Sequence, residues 1–278
     1  MPQALNTPEQ MYDRYMPKIA ANLSTMFTES AFLDRFAAAR DSGFDAVEFQ
    51  FPYAFVPAQL SERLERSRLH LVMHNMPPGD LAGDRGMACD PDRVGEFQDS
   101  VELALEYAIA LGVRQLHCMA GIVPPDVSQE MARETYLSNL KFAAERLHPR
   151  AIRLLIEPIN SHDVPGYFLN GSQQAADIIA ECGAPNLFLQ YDIYHMQRME
   201  GGVAESLRAL FPLIGHVQFA DAPGRHEPGT GEIDFARLFA LLDELGYDGW
   251  VGSEYFPATD TVSGLGWRER LLPHAVQS

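Results

Sequence analysis

The sequence predicts an α/β protein, a (β/α)8 TIM barrel in a single domain. Three observations carry this: eight short apolar runs recur along the chain, helical patterns separate them, and glycines close the helices. The 278 residues contain no low-complexity linker or break in composition, and this is a normal length for one barrel.

Taken in chain order, strands are expected at Ile19–Leu23, Ala46–Gln50, Leu69–His74, Gln115–Met119, Arg153–Pro158, Leu187–Asp192, His216–Ala220 and Trp250–Tyr255. Apolar residues three and four apart predict helices over stretches such as Ala31–Arg40, Glu96–Leu111, Arg133–Leu147, Gln173–Glu181, Phe235–Leu245 and Ser263–Leu272. Gly43, Gly112, Gly183 and Gly246 each follow a helical run and precede a strand. That is where a left-handed residue ends a helix. No GxGxxG follows the first strand, which argues against an open nucleotide-binding sheet, and Gly229-Thr230-Gly231 reads as a tight turn rather than a phosphate cradle. Residues 1–17 are set apart as an N-terminal extension to a barrel spanning 18–278, because Met16-Pro17-Lys18 resembles a second natural start. The alternative to a separate extension is that Pro8–Tyr15 forms a short helix closing the bottom of the barrel.

Composition narrows the function. Hydrophobic residues make up 46% and charged residues 21%, and no run approaches the ~18 apolar residues of a membrane span. The start lacks the basic and apolar regions of a secretory leader, and Cys89, Cys118 and Cys182 form no metal-type pair. Reduced thiols in a cytoplasmic protein are expected. The net charge of −17 repels nucleic acid and anionic membranes, and a homo-oligomer is compatible with the sequence.

In a (β/α)8 barrel the C-terminal strand ends meet in one pocket. Four consecutive strands there deliver oxygen donors, namely Glu157, Asp192, Gln218 and Glu254. Three carboxylates in an apolar core would be costly to desolvate and would repel one another, and a divalent cation resolves both problems. An all-oxygen set favours one Mg2+ or Mn2+ ion over structural zinc.

The chain resembles the hydroxypyruvate isomerase family of xylose-isomerase-like TIM barrels from Ile19 to about Trp267. The similarity is carried by Ala21-Asn22-Leu23-Ser24, the run Gly43 to Phe49, Ile156-Glu157-Pro158-Ile159-Asn160, the run Gln190 to Arg198 and the run Glu227 to Ile233. The resemblance implies that Glu157 and Glu254 are the catalytic acid/base pair as well as ligands, and that His195 touches substrate. It puts Asp163 in the slot of a substrate-binding acid, and Glu48 in a supporting role through hydrogen bonds. Related ketose epimerases usually carry His where this chain has Gln218, so the resemblance points away from free sugars. The implied reaction interconverts hydroxypyruvate and tartronate semialdehyde, as in glyoxylate metabolism, by proton transfer through an ene-diolate.

Three carboxylates exceed the charge of one M2+ ion, so the small hydroxy-keto acid needs basic help. Arg225 is the first choice, with His74 and Arg85 as further candidates. His117 and Cys118 are read as core, and Phe49, Phe51, Tyr53 and Trp267 as walls of the pocket or packing of the barrel top. A 2-oxo-tetronate isomerase is the nearest rival. An endonuclease IV-like metal phosphodiesterase fits poorly, because this chain lacks its His density. A non-catalytic sugar-acid-binding barrel would bind ligand without metal.

Overall fold

The computed structural model describes residues 17–272. The extension assigned to 1–17, Pro17 excepted, lies outside the described residues, as does the helix expected over Pro8–Tyr15. Eight parallel strands close into one barrel in sequence order, β1 pairing with both β2 and β8. They are β1 Lys18–Asn22, β2 Ala46–Phe49, β3 His70–Asn75, β4 Gln115–His117, β5 Arg153–Ile156, β6 Leu187–Asp192, β7 Ile214–Phe219 and β8 Trp250–Ser253. The predicted fold class and all eight strands are therefore present, with ends displaced by a residue or two.

The helices are α1 Arg35–Asp41, α2 Pro57–Ser67, α3 Val94–Leu111, α4 Gln129–Leu147, α5 Ser172–Cys182, α6 Ile193–Met199, α7 Val203–Leu210, α8 Phe235–Glu244, α9 Thr261–Gly264 and α10 Trp267–Leu271. Helices α2, α6 and α7 were not among those named from periodicity. Only Leu60 and Leu64 of α2 are buried, and Val203 and Leu207 of α7, so each offers too short an apolar stripe to stand out. Gly43, Gly112, Gly183 and Gly246 adopt φ of +78°, +70°, +67° and +77°, as their places before strands required. Among the described residues no helix is long and apolar enough to cross a membrane. All three cysteines are free and buried.

Side chains two apart on a strand share a face, and this alternation stacks the barrel interior in layers. Ala20, Ala46, Val72 and Leu155 cluster near its base, with Phe188 and Trp250 packed against them. Two residues further on, the same faces carry Asn22, Glu48, His74, Glu157 and Gln190, all buried. A second step along β6 and two steps along β8 reach Asp192 and Glu254. Phe49 and Trp267, read as pocket walls or as packing, are fully buried and pack. Trp267 packs on Phe219 and donates from Nε1 to the Tyr255 hydroxyl at 3.1 Å.

Gly252 keeps this interior open. A Cβ there would lie 2.3–2.5 Å from the Glu48 carboxyl atoms, and Glu48 is itself anchored by three side chains. Gly252→Ala is expected to destabilise the protein by about 1–3 kcal/mol in urea unfolding. A variant as stable as wild type would show that Glu48 can move aside at no cost.

Candidate active site

Glu157 follows β5 directly, Asp192 ends β6, Gln218 lies in β7 and Glu254 follows β8. The barrel thus carries all four predicted ligands to one mouth, and all four are buried. Asp192 divides its oxygens. Oδ1 accepts from the Tyr194 N–H at 2.8 Å and caps α6, while Oδ2 is buried with no partner. Glu157 likewise has an orphaned buried Oε1. Glu157, Asp192 and His195 each offer an atom within 4.8 Å of the others and could hold a metal ion. Two unsatisfied carboxylate oxygens aimed at one point fit a hard divalent cation.

Glu254 and Gln218 are occupied differently. Glu254 Oε1 accepts from Gln50 Nε2 at 2.9 Å and Asn22 Nδ2 at 3.2 Å, and its Oε2 accepts from Arg225 Nη2 at 3.0 Å. Gln218 Nε2 donates to Glu48 Oε1 at 2.6 Å, and its Oε1 accepts from Gln190 Nε2 at 2.6 Å. Glu48 also accepts from His216 Nε2 at 2.7 Å and Asn22 Nδ2 at 3.0 Å. Glu48 therefore fixes the Gln218 amide with its oxygen turned away from Glu48 and one lone pair left for a ligand.

Burial raises all three carboxyls. Asp192 is pushed up to about 7 by burial, against the pull of Arg225. Glu157 is driven well above the ordinary carboxylate range by burial and by the charges of Glu254 and Asp192. Glu254 is raised by burial, against the pull of Arg225.

Arg225 sits at φ +58° in the loop after β7, between Glu254 and Asp163 Oδ2 (3.9 Å from Nη1). The rings of Tyr194 and Phe256 flank its guanidinium at 5.2 and 5.8 Å. Burial works against its charge, yet the carboxylates around it, Glu254 first, hold its pKa above the ordinary value. Asp221 anchors the loop from below. Its carboxylate accepts four backbone N–H groups, those of Ala222, Gly229, Gly231 and Ile233, at 2.8–3.1 Å. The Gly-Thr-Gly turn thus wraps an internal carboxylate, and a Cβ at Gly231 would lie 1.9 Å from the Ala222 carbonyl oxygen.

Of the other predicted groups, His195 is buried in α6, its Nε2 3.6 Å from Asp192 Oδ2 and 3.9 Å from Glu157 Oε1. Burial, with Arg225 and His117 nearby, holds its pKa well below the usual histidine value. Asp163 accepts from the Tyr194 hydroxyl at 3.0 Å. His74 does not bring the expected positive charge. Burial pulls it down to about 4, and its Nδ1 donates to the Asn75 carbonyl at 3.0 Å, leaving a neutral ring with a bare Nε2. Arg85 is exposed.

His117, read as core, is buried, but its Nε2 also lies 3.6 Å from Glu157 Oε2, while its Nδ1 donates to Asn75 Oδ1 at 3.2 Å. Its place at the end of β4, in register with Leu155 two residues before Glu157, is the available signal. Gln190 tethers Gln218, and in the sequence it is overshadowed by the more conspicuous Asp192 two residues on.

A closed parallel barrel with carboxylates from several strand ends around one point defines the class, and the chain belongs to the xylose isomerase-like TIM barrel family, whose model matches residues 36–271. It is 49% identical over 258 residues to a 2-oxo-tetronate isomerase of Cupriavidus necator, covering 92% of this chain and 99% of that one. It is 46% identical over 255 residues to the hydroxypyruvate isomerase of Escherichia coli, covering 91% and 99%. A crystal structure of an AP endonuclease, family 2, from Brucella melitensis superposes with a TM-score of 0.90 at 43% identity, covering 92% and 99%.

The raised carboxyl pKa values make a prediction. The folded metal-free protein keeps protons that the unfolded chain, with Asp near about 4, gives up, so these groups subtract stability as pH rises through about 7. A divalent cation must displace those protons. The thermal shift produced by Mn2+ or Mg2+ is therefore expected to grow between about pH 5.5 and about pH 8. A shift independent of pH would count against carboxylate ligation.

Proposed function

We propose that this protein is a hydroxypyruvate isomerase that moves a carbonyl along a three-carbon acid, with one Mg2+ or Mn2+ ion held by Glu157, Asp192, Gln218 and Glu254. The observation that carries this reading is Arg225, fixed 3.0 Å from Glu254 Oε2 beside the orphaned oxygens of Glu157 and Asp192. A cation built into the wall next to a metal-competent cluster suits a substrate that is itself a carboxylate, where a neutral sugar would leave that charge unused.

The reaction removes a proton from C3 of hydroxypyruvate and returns one to C2, while the hydroxyl proton passes from the C3 oxygen to the C2 oxygen. An ene-diolate lies between. When bound, the metal supplies Lewis-acid stabilisation of that anion. Arg225 takes the substrate carboxylate in a fixed orientation, and Tyr194 and Phe256 limit its movement. Glu157 and Glu254 form the acid/base pair. Burial raises both carboxyls, helped at Glu157 by the charges of Glu254 and Asp192 and opposed at Glu254 by Arg225, which suits groups that both accept and return a proton. His195 contacts a substrate oxygen, and Asp163, at the rim, holds Arg225 and Tyr194 in place.

The 49% identity to a 2-oxo-tetronate isomerase favours a second reading, the same proton transfer on an acid one carbon longer. Cytoplasmic location and a place in glyoxylate metabolism accompany the first reading.

Metal-stripped protein should be inactive on hydroxypyruvate and regain turnover with Mg2+ or Mn2+, followed as aldehyde through an NADH-dependent reductase. A parallel assay on a 2-oxo-tetronate distinguishes the two substrates, and no metal-dependent turnover of either would refute the isomerase reading. Glu157→Gln and Glu254→Gln are each expected to lower kcat by at least about 100-fold. A variant that binds metal and keeps near wild-type kcat would remove that glutamate from the acid/base pair.

A further inference from the structure

Asn160, four residues past the end of β5, is fully buried and has every hydrogen-bonding atom committed. Its Oδ1 accepts the backbone N–H groups of His162 and Asp163 at 3.1 and 2.9 Å. Since both donors are backbone amides, that atom must be the oxygen, and the orientation of the amide is settled. The Nδ2 group, with two protons, then faces Asp163 Oδ2 at 3.0 Å and His195 Nδ1 at 2.7 Å. The backbone N–H of Asn160 approaches the same imidazole nitrogen at 3.4 Å. A ring nitrogen facing two N–H donors is an acceptor and carries no proton.

From this geometry we infer that Asn160 is a positioning residue that locks His195 in the tautomer with its proton on Nε2. The inference deepens the isomerase reading and rests on it for its catalytic consequence. The proton-bearing Nε2 is the atom 3.6 Å from Asp192 Oδ2 and 3.9 Å from Glu157 Oε1. With a hydrogen there it has no lone pair for a cation. His195 is thereby removed from the ligand set despite its distance from those carboxylates, and becomes an N–H donor for a substrate oxygen that gains negative charge in the ene-diolate. The same amide donates to Asp163, which sits against Arg225. One side chain thus aligns the groups proposed to meet two ends of the substrate.

Asn160→Asp tests this. One carboxylate oxygen can still accept from His162 and Asp163, but the other now presents an acceptor to Nδ1. The imidazole must put a proton on Nδ1, and a neutral ring loses the one on Nε2. The tautomer is read by nitrogen NMR of the full-length metal-free protein labelled with 15N-histidine, the His195 signals being assigned by their loss in His195→Gln. Wild type should show Nδ1 bare and Nε2 protonated, and Asn160→Asp should show Nδ1 protonated. Wild type with Nδ1 protonated, or a folded variant with an unchanged spectrum, overturns the inference. The wild-type spectrum decides the tautomer even where the variant does not fold. In the coupled assay, kcat of the variant should fall about 100- to 1,000-fold, the usual loss for a missing oxyanion donor, with KM little changed. A proton moved to Nδ1 without loss of kcat also overturns the positioning role. If wild type turns over neither keto acid, the isomerase reading fails and the spectrum still decides the tautomer.

Discussion

The site depends on the cost of placing negative charge inside an apolar barrel. Glu157, Asp192 and Glu254 are buried at one mouth, where burial disfavours the charged form of each. Arg225 offsets part of that burden through its contact with Glu254, but one guanidinium cannot neutralise three carboxylates. The remaining oxygens of Glu157 and Asp192 stay without partners. The arrangement is unfavourable for stability alone, and strain of this kind is retained where it supports binding or chemistry.

The layer beneath explains how such a cluster keeps its shape. Glu48 gathers Asn22, His216 and Gln218, and Asn22 and Gln50 reach up to Glu254. Gln190 links Gln218 to the β6 side. Each member is tied to residues on other strands, so no single rotamer can change without breaking a buried hydrogen bond. The small residues Ala20, Ala46 and Gly252 leave the room this network needs.

Most of the frame was legible in the sequence, because parallel strands buried on both faces read as apolar runs and glycines mark the helix ends. The polar strand ends were legible for the same reason: Glu157, Asp192, Gln218 and Glu254 interrupt otherwise apolar segments. What escaped were relations between side chains. His74 has the composition of a basic group, but its burial makes it neutral, and burial is a property of the assembled barrel. His117 reads as core in the sequence, and only closure of β4 against β5 sets it beside Glu157. Asn160 lies within a recognised motif, yet its part emerges from counting donors and acceptors that come from α6 and its own turn.

Asp221 has a consequence of a different kind. Because its single carboxylate gathers the amides of Ala222, Gly229, Gly231 and Ile233 at the root of the loop, the exposed residues Pro223 and Gly224 contribute little to that anchorage. Drift in sequence at the tip can then reshape what the loop presents to a ligand while its base stays registered on the barrel. A fold with such a clamp can explore new substrates by editing a few exposed positions, with the chemistry below left intact.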